Sequence, residues 1–260
     1  MSQMVHPLKE ELNKFQAIIL AGGRGSRLSP HTNYQPKPLL QIRNKPVLQY
    51  LIEQLELCGI DDITIGVRYL GDQIIDYFGN KYECVNCNSP TMIESFVYLV
   101  KRSNKDHIVG LSGDTLLTSH SIKHTIETHL SVGSDATLTL SKMEGSKKKW
   151  RYIITKDGFL EDILTSDNPN NLERSGLIIN RNVIDSIYNC VFPIEESYRN
   201  YSSGWNLLFK LMIEKGMKIF VSVTEFPVQN INTVDDLKKA ESFILKNLTQ
   251  NESSNSSRTI

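Results

Sequence analysis

Between Leu20 and Leu40 the chain concentrates groups suited to holding a polyanion. Gly22 and Gly23 are adjacent, Gly25 follows, and then come Ser26 and Arg27. Lys37 stands between Pro36 and Pro38. Glycines lack a Cβ, so their N–H groups can approach an anion closely and their backbone can turn through positive φ. A guanidinium at Arg27 adds a planar fork that fits phosphate oxygens. Pro38 biases Lys37 toward an extended backbone, which helps to aim its ammonium. Further on, Ser112-Gly113-Asp114 ends an apolar run. A carboxylate there suits Mg²⁺, which prefers oxygen ligands; a Gly-Asp at that place can also simply begin a turn. The glycine stretch is not a P-loop, because G-x-x-x-x-G-K-[ST] is absent, and Leu28 occupies the third glycine position of the dinucleotide fingerprint.

These groups need a scaffold that brings them together. Residues 15–20 (FQAIIL) read as a buried strand leading into the glycine stretch. Apolar residues at helical spacing mark 45–58, with Pro46 at the start and Gly59 at the stop. Residues 62–67 read as a strand, 70–79 as a helix, 83–85 as a short strand, 91–102 as an amphipathic helix and 107–111 as a strand. Such alternation predicts a mainly parallel sheet covered on both faces, with ligands beyond the carboxyl ends of its strands. The glycine stretch and Asp114 both fall at such ends. A helix at 119–131 then leads to strands at 135–142, 150–155 and 174–180, with a hairpin turn at Asp157-Gly158. Helices at 181–190, 203–215 and 233–247 surround a strand at 218–224. The expected organisation is one domain over 1–246 with a small β-rich lobe. Residues 15–118, with the glycine stretch and Asp114, are expected to form the polyanion-binding half and 119–246 the half that binds the acceptor of that polyanion chemistry. The polar tail 247–260 reads as disordered.

Composition narrows the partners. The 260 residues carry 29 Lys+Arg against 29 Asp+Glu, so no global field favours nucleic acid or an anionic membrane. Phosphate binding must then be local. No apolar run suggests a membrane span, no secretory block opens the sequence, and a cytoplasmic location follows as the expectation. Cys84 and Cys87 form a C-x-x-C without a second half, which reads as two thiols in a reducing compartment rather than a zinc or redox site. A homo-oligomer is compatible with the sequence but not legible in it.

The stretch AIILAGGRGSRLSP-x-T-x-x-x-PKPLL resembles the signature of the sugar-phosphate nucleotidyltransferase family, which includes NDP-sugar pyrophosphorylase-like and phosphocholine cytidylyltransferase-like members. Weaker echoes occur at Ser112-Gly113-Asp114, at Ser175-Gly176-Leu177 and from Asn230 to Leu237. The resemblance implies a three-layer α/β fold of the nucleotide-diphospho-sugar transferase type. It also implies transfer of an NMP group from an NTP to a sugar phosphate, with pyrophosphate released, an NDP-sugar formed and Mg²⁺ as cofactor. The partners would be an NTP and a phosphorylated small molecule.

Leu20 and Ala21 would then border the base and ribose. The amides from Gly22 through Gly23 and Gly25 to Ser26 would hold the outer phosphates, with Gly113 also on the nucleotide side. Arg27 would stabilise the leaving pyrophosphate, Lys37 would bridge the two reacting phosphates, and Asp114 would carry the metal. The second metal ligand falls in Asn230-Ile231-Asn232, where relatives often carry a carboxylate; Asn232 is favoured over Asn230. Thr233, Asp235 and Asp236 read as a helix cap. Thr91 either contacts the nucleotide or caps its helix.

Two departures bear on the acceptor. Many sugar members carry a Glu-Lys-Pro in the lobe, but the comparable stretch here, Asp162 to Asp167, has no lysine. Arg174, with Ser175 and Gly176, is the candidate replacement for acceptor binding; an exposed arginine is the plainer reading. Lys147, Lys148 and Lys149 read as a solvated turn. The segment Asn88 to Ser95 looks more like members that activate phosphocholine. Alternatives to sugar-phosphate transfer are therefore a cytidylyltransferase for a non-sugar phosphate and a catalytically weak nucleotide-sugar-binding regulatory protein.

Overall fold

The computed structural model describes residues 10–143, 150–165, 171–191 and 204–248. The Lys147–Lys149 turn, most of the loop after residue 165 and the tail from 249 lie outside the described residues. The first half contributes β1 (Phe15–Leu20), the short β2 (Gln41–Ile42) and β3 (Lys45–Pro46), helix α1 (Val47–Glu56), β4 (Ile63–Val67), α2 (Gly71–Phe78), β5 (Glu83–Asn86), α3 (Met92–Arg102), β6 (His107–Ser112) and β7 (Thr115–Leu116). There follow α4 (Ser119–Val132), β8 (Ala136–Lys142), β9 (Trp150–Ile154), β10 (Leu160–Thr165), β11 (Leu172–Asn180) and α5 (Arg181–Val191). The chain then forms α6 (Gly204–Glu214), β12 (Ile219–Thr224), β13 (Gln229–Asn230) and α7 (Val234–Asn247).

Both halves share a seven-stranded sheet in the order β12-β8-β11-β6-β1-β4-β5. Parallel pairing joins β1 to β4 and β6, β4 to β5, and β12 to β8. β11 is antiparallel to both of its neighbours, so it alone runs against the rest. β9 and β10 form a separate antiparallel hairpin, and β7 pairs with β13.

β1 shows why a continuous apolar run is required. Ala17 and Ile19 enter one core with Leu51 and Leu55 of α1, while Ile18 enters the other with Phe96 of α3 and Phe209 of α6. Alternate side chains face alternate layers. The same alternation separates the C-x-x-C: Cys84 packs into the first core and Cys87 into the second. Burial raises both thiols above the usual range, so neither is a poised thiolate.

A third apolar cluster is smaller and matters more for function. Leu28, Leu40, Leu116 and Ile231 pack together with Phe243 and Ile244 of α7. Each of the first four lies close in sequence to a polar candidate: Arg27, Lys37, Asp114 or Asn232. Burying these anchors fixes where the neighbouring side chains can reach.

At the opposite end of the sheet, His129 is buried and pairs with Thr137 and Asn180, with His107 beside it. Burial is the main cause that depresses its pKa from 6.5 to about 4; the Asn180 contact opposes the shift and His107 reinforces it. The folded protein therefore keeps this imidazole neutral, whereas the unfolded chain takes up a proton near 6.5. Stability is complete above that pH and falls as the pH drops toward 4. We expect this group to account for about 2 kcal/mol of lost stability between pH 7.5 and pH 5. Urea unfolding at the two pH values, compared with His129→Gln, measures it; an unchanged pH dependence in the variant rejects the assignment.

Candidate active site

Gly25 determines how the chain leaves β1. Its φ is +64°, and a Cβ there would lie 3.1 Å from both Lys37 Cβ and Thr32 Cγ2. Its carbonyl accepts from Leu28 N at 2.8 Å and from Thr32 Oγ1 at 2.9 Å, starting the single 3-10 turn Ser26–Leu28. Gly22 lies against Arg68, whose Cβ would be 2.9 Å from an added methyl. At Gly23 an added Cβ meets no atom within 4 Å, so that face of the loop is open. Lys37 begins a second 3-10 turn between its prolines and is 8% exposed.

A cavity of about 280 Å³ opens at the carboxyl ends of β1, β4 and β6. Leu20, Ala21, Gly22, Gly23, Gly25 and Lys37 line one side, and Ser112 and Asp114 close its end. Arg68, Cys87, Thr91, Met92 and Ser95 line the other.

Four side chains from distant parts of the chain meet beside it. Lys37 Nζ donates to Asp114 Oδ2 and, at 3.0 Å, to Asn232 Oδ1. Arg27 donates to that same Asn232 oxygen at 2.8 Å. Ile231 N donates to Asp114 O at 2.9 Å, tying the last segment to the end of β6. Ile231 is fully buried and the flanking asparagines diverge from it. Asn232 turns toward the two cations. Asn230 turns away: its oxygen accepts from Thr115 at 2.8 Å and its amide donates to Glu173 at 2.7 Å. Thr233 caps α7 together with Asp236, whose carboxylate also holds Asn232 N at 2.9 Å.

Several candidates sit elsewhere. Gly113 is buried against Ala21, and its N–H is used on Leu20 O at 2.9 Å rather than free for a ligand. Ser175 is 1% exposed and bonds to Thr139 O, while Gly176 is pressed against Thr125. Neither of the two lines the cavity. Ser26 and Arg27 are exposed beside the glycine turn. Thr91 lines the cavity and also caps α3 in a reciprocal box with Glu94, so both of its readings coexist. In the lobe, Lys210 of α6 reaches the stretch that lacks a lysine and pairs with Asp162 at 2.7 Å.

Arg68 and Trp205 belong to no motif that would mark them. Arg68 becomes visible through its contact with Gly22, and its guanidinium donates to Ser89 O at 3.1 Å. Trp205 is buried within an apolar helix and donates to Ser112 Oγ at 3.0 Å. Arg174 lies over its ring.

Residues 17–166 match the MobA-like NTP transferase domain family. The chain is 28% identical over 236 residues to a D-glycero-alpha-D-manno-heptose 1-phosphate guanylyltransferase of Aneurinibacillus thermoaerophilus, covering 87% of this chain and 96% of that one. It is 29% identical over 239 residues to a choline-phosphate cytidylyltransferase of Streptococcus pneumoniae, covering 89% and 99%. The solved structure of the CTP:phosphocholine cytidylyltransferase of Streptococcus pneumoniae superimposes with a TM-score of 0.70 at 23% identity, over 88% of this chain and 99% of that one. At that identity the superposition speaks for the fold alone.

Proposed function

The chain belongs to the MobA-like NTP transferase domain family and is a nucleotidyltransferase, and from that premise we propose that it transfers an NMP group from an NTP to a sugar phosphate, releasing pyrophosphate and forming an NDP-sugar. The observation that carries this reading is the meeting of Arg27, Lys37, Asp114 and Asn232 beside an open glycine turn.

The reaction brings two polyanions together and expels a third, so positioning and charge neutralisation do most of the work. The amides of the Gly22–Ser26 turn would hold the outer phosphates. Arg27, exposed at the turn, would take up charge on departing pyrophosphate. The Lys37 ammonium, aimed by its flanking prolines, would lie between the α-phosphate and the attacking phosphate oxygen. Leu20 and Ala21 form the wall where base and ribose would lie.

Asp114 Oδ2 and Asn232 Oδ1 converge on one cationic point, now met by Lys37 Nζ. Two oxygen donors from separate segments fit Mg²⁺, which keeps several ligand places for water and substrate phosphates. Asn232 is favoured over Asn230, whose amide points away from Asp114 toward Thr115 and Glu173. When bound, Mg²⁺ would supply Lewis-acid neutralisation of phosphate charge.

A screen of pyrophosphate release tests the reading, with CTP, UTP, GTP and dTTP each offered sugar phosphates, phosphocholine and related phospho-alcohols. Release with a sugar phosphate is the expected result. Release confined to a non-sugar phosphate replaces the acceptor. Tight NDP-sugar binding without turnover makes the protein a sensor instead.

A further inference from the structure

Beyond the reacting phosphates, a cation stands behind Ser112, a residue that lines the cavity. Arg174 lies in β11 just before the irregularity that separates it from Gly176, a place where a strand re-aims its side chains. Its guanidinium carbon is 4.7 Å from the centre of the Trp205 ring. One terminal nitrogen donates to Ser112 Oγ at 3.3 Å, and Trp205 Nε1 donates to the same oxygen at 3.0 Å. Ser112 lines the cavity two residues before Asp114. Trp205 is backed edge-on by Phe96 at 4.9 Å, which holds the indole in place.

Among the described residues, Arg174 forms no salt bridge with a carboxylate; Asp114 and the Tyr152 hydroxyl are the acidic groups it feels. Burial lowers its pKa to about 10, which still leaves it cationic at neutral pH. A cation set this deep favours anionic company and opposes a second cation. An aromatic face is also the usual receptor for a quaternary ammonium. Here that face is already covered by the chain's own guanidinium.

We propose that the stacked Arg174–Trp205 pair is a charge filter on the acceptor: it admits phosphorylated substrates whose organic part is uncharged or acidic, and it rejects cationic phospho-alcohols. The inference rests on the nucleotidyl-transfer reading and specifies the acceptor of that same site. A substrate cation held as near as about 6 Å to the guanidinium would, at an effective dielectric near 20, bind on the order of 100-fold more weakly.

The test compares phosphocholine with its uncharged carbon isostere, 3,3-dimethylbutyl phosphate, and with an uncharged sugar phosphate. Affinities are titrated in the presence of NTP, and kcat and KM are measured separately. Wild-type protein should prefer both uncharged compounds over phosphocholine by roughly 100-fold. Arg174→Met retains an apolar stem against Trp205 and should narrow that ratio at least tenfold, through KM and binding rather than kcat, with NTP affinity retained. Arg174→Lys should keep the discrimination. Phosphocholine binding to wild type as well as its isostere would overturn the filter, as would an unchanged ratio in a folded Arg174→Met protein. The isostere comparison needs no variant, so misfolding of Arg174→Met does not remove the test. Failure of the wild type to bind any NTP instead strikes the nucleotidyl-transfer reading, and that titration is read separately from acceptor preference.

Discussion

Lys37→Ala should reduce pyrophosphate release about 10²–10³-fold, the range seen when one preorganised donor to developing charge is removed. Lys37 is the buried cation of the cluster, and its ammonium bonds to two oxygens on two separate segments. No other side chain of the four can replace it, because Arg27 reaches only the Asn232 side. The fold should survive. Asp114, the partner left behind, is 26% exposed and can turn its carboxylate to water. Single-turnover kinetics with saturating NTP and acceptor measure the loss, and circular dichroism checks the fold. Pyrophosphate release at the wild-type rate would reject Lys37 as a member of the site.

Asp114→Ala should be at least as damaging to turnover, on the order of 10³-fold, and more damaging to stability. Among Arg27, Lys37, Asp114 and Asn232 it carries the one negative charge. Its removal strands the Lys37 ammonium, whose side chain is only 10% exposed, with a neutral amide oxygen as its remaining partner. Removing one member of a buried pair costs more than the pair contributes, because the surviving charge is uncompensated. The two variants therefore separate function from folding: both lose turnover, but Asp114→Ala should melt lower than Lys37→Ala. The double variant should recover part of that difference. Thermal melts of the three proteins decide this order. Titration with Mg²⁺ adds a second readout. High Mg²⁺ should not rescue Asp114→Ala, and Asn232→Asp should move the Mg²⁺ midpoint of the otherwise unaltered enzyme to lower concentration.

Much of the fold was legible because its strands are buried on both faces and its helices are amphipathic. FQAIIL and HIVGL could be placed as strands, and the 91–102 helix by its spacing and its Thr91 cap. The direction of β11 was not legible, since an alternating apolar pattern is the same in either sense. The hairpin β2–β3 was also missed; it turns through Arg43 and Asn44 at φ of 52° and 62°, with no glycine to announce it. In the site, glycine chemistry and charge type singled out Gly22, Gly25, Arg27, Lys37 and Asp114. They could not separate Asn230 from Asn232, because that choice depends on which side of buried Ile231 each amide falls. Gly113, Ser175 and Gly176 share motifs with those residues, and the fold packs each of them closely, which no motif announces. Trp205 could not be told from a core tryptophan until its N–H was seen on Ser112.

The bond from Arg27 to Asn232 spans 205 positions. During synthesis the glycine turn and Lys37 leave the ribosome about two hundred residues before Asn232 and the helix that anchors it. Helix α7 supplies Phe243 and Ile244 to the small cluster that seats Ile231. A nascent chain halted before this helix would hold the first strands and both cations, yet lack their shared amide and its clamp. The site should thus stay incomplete and silent until α7 has been made and docks.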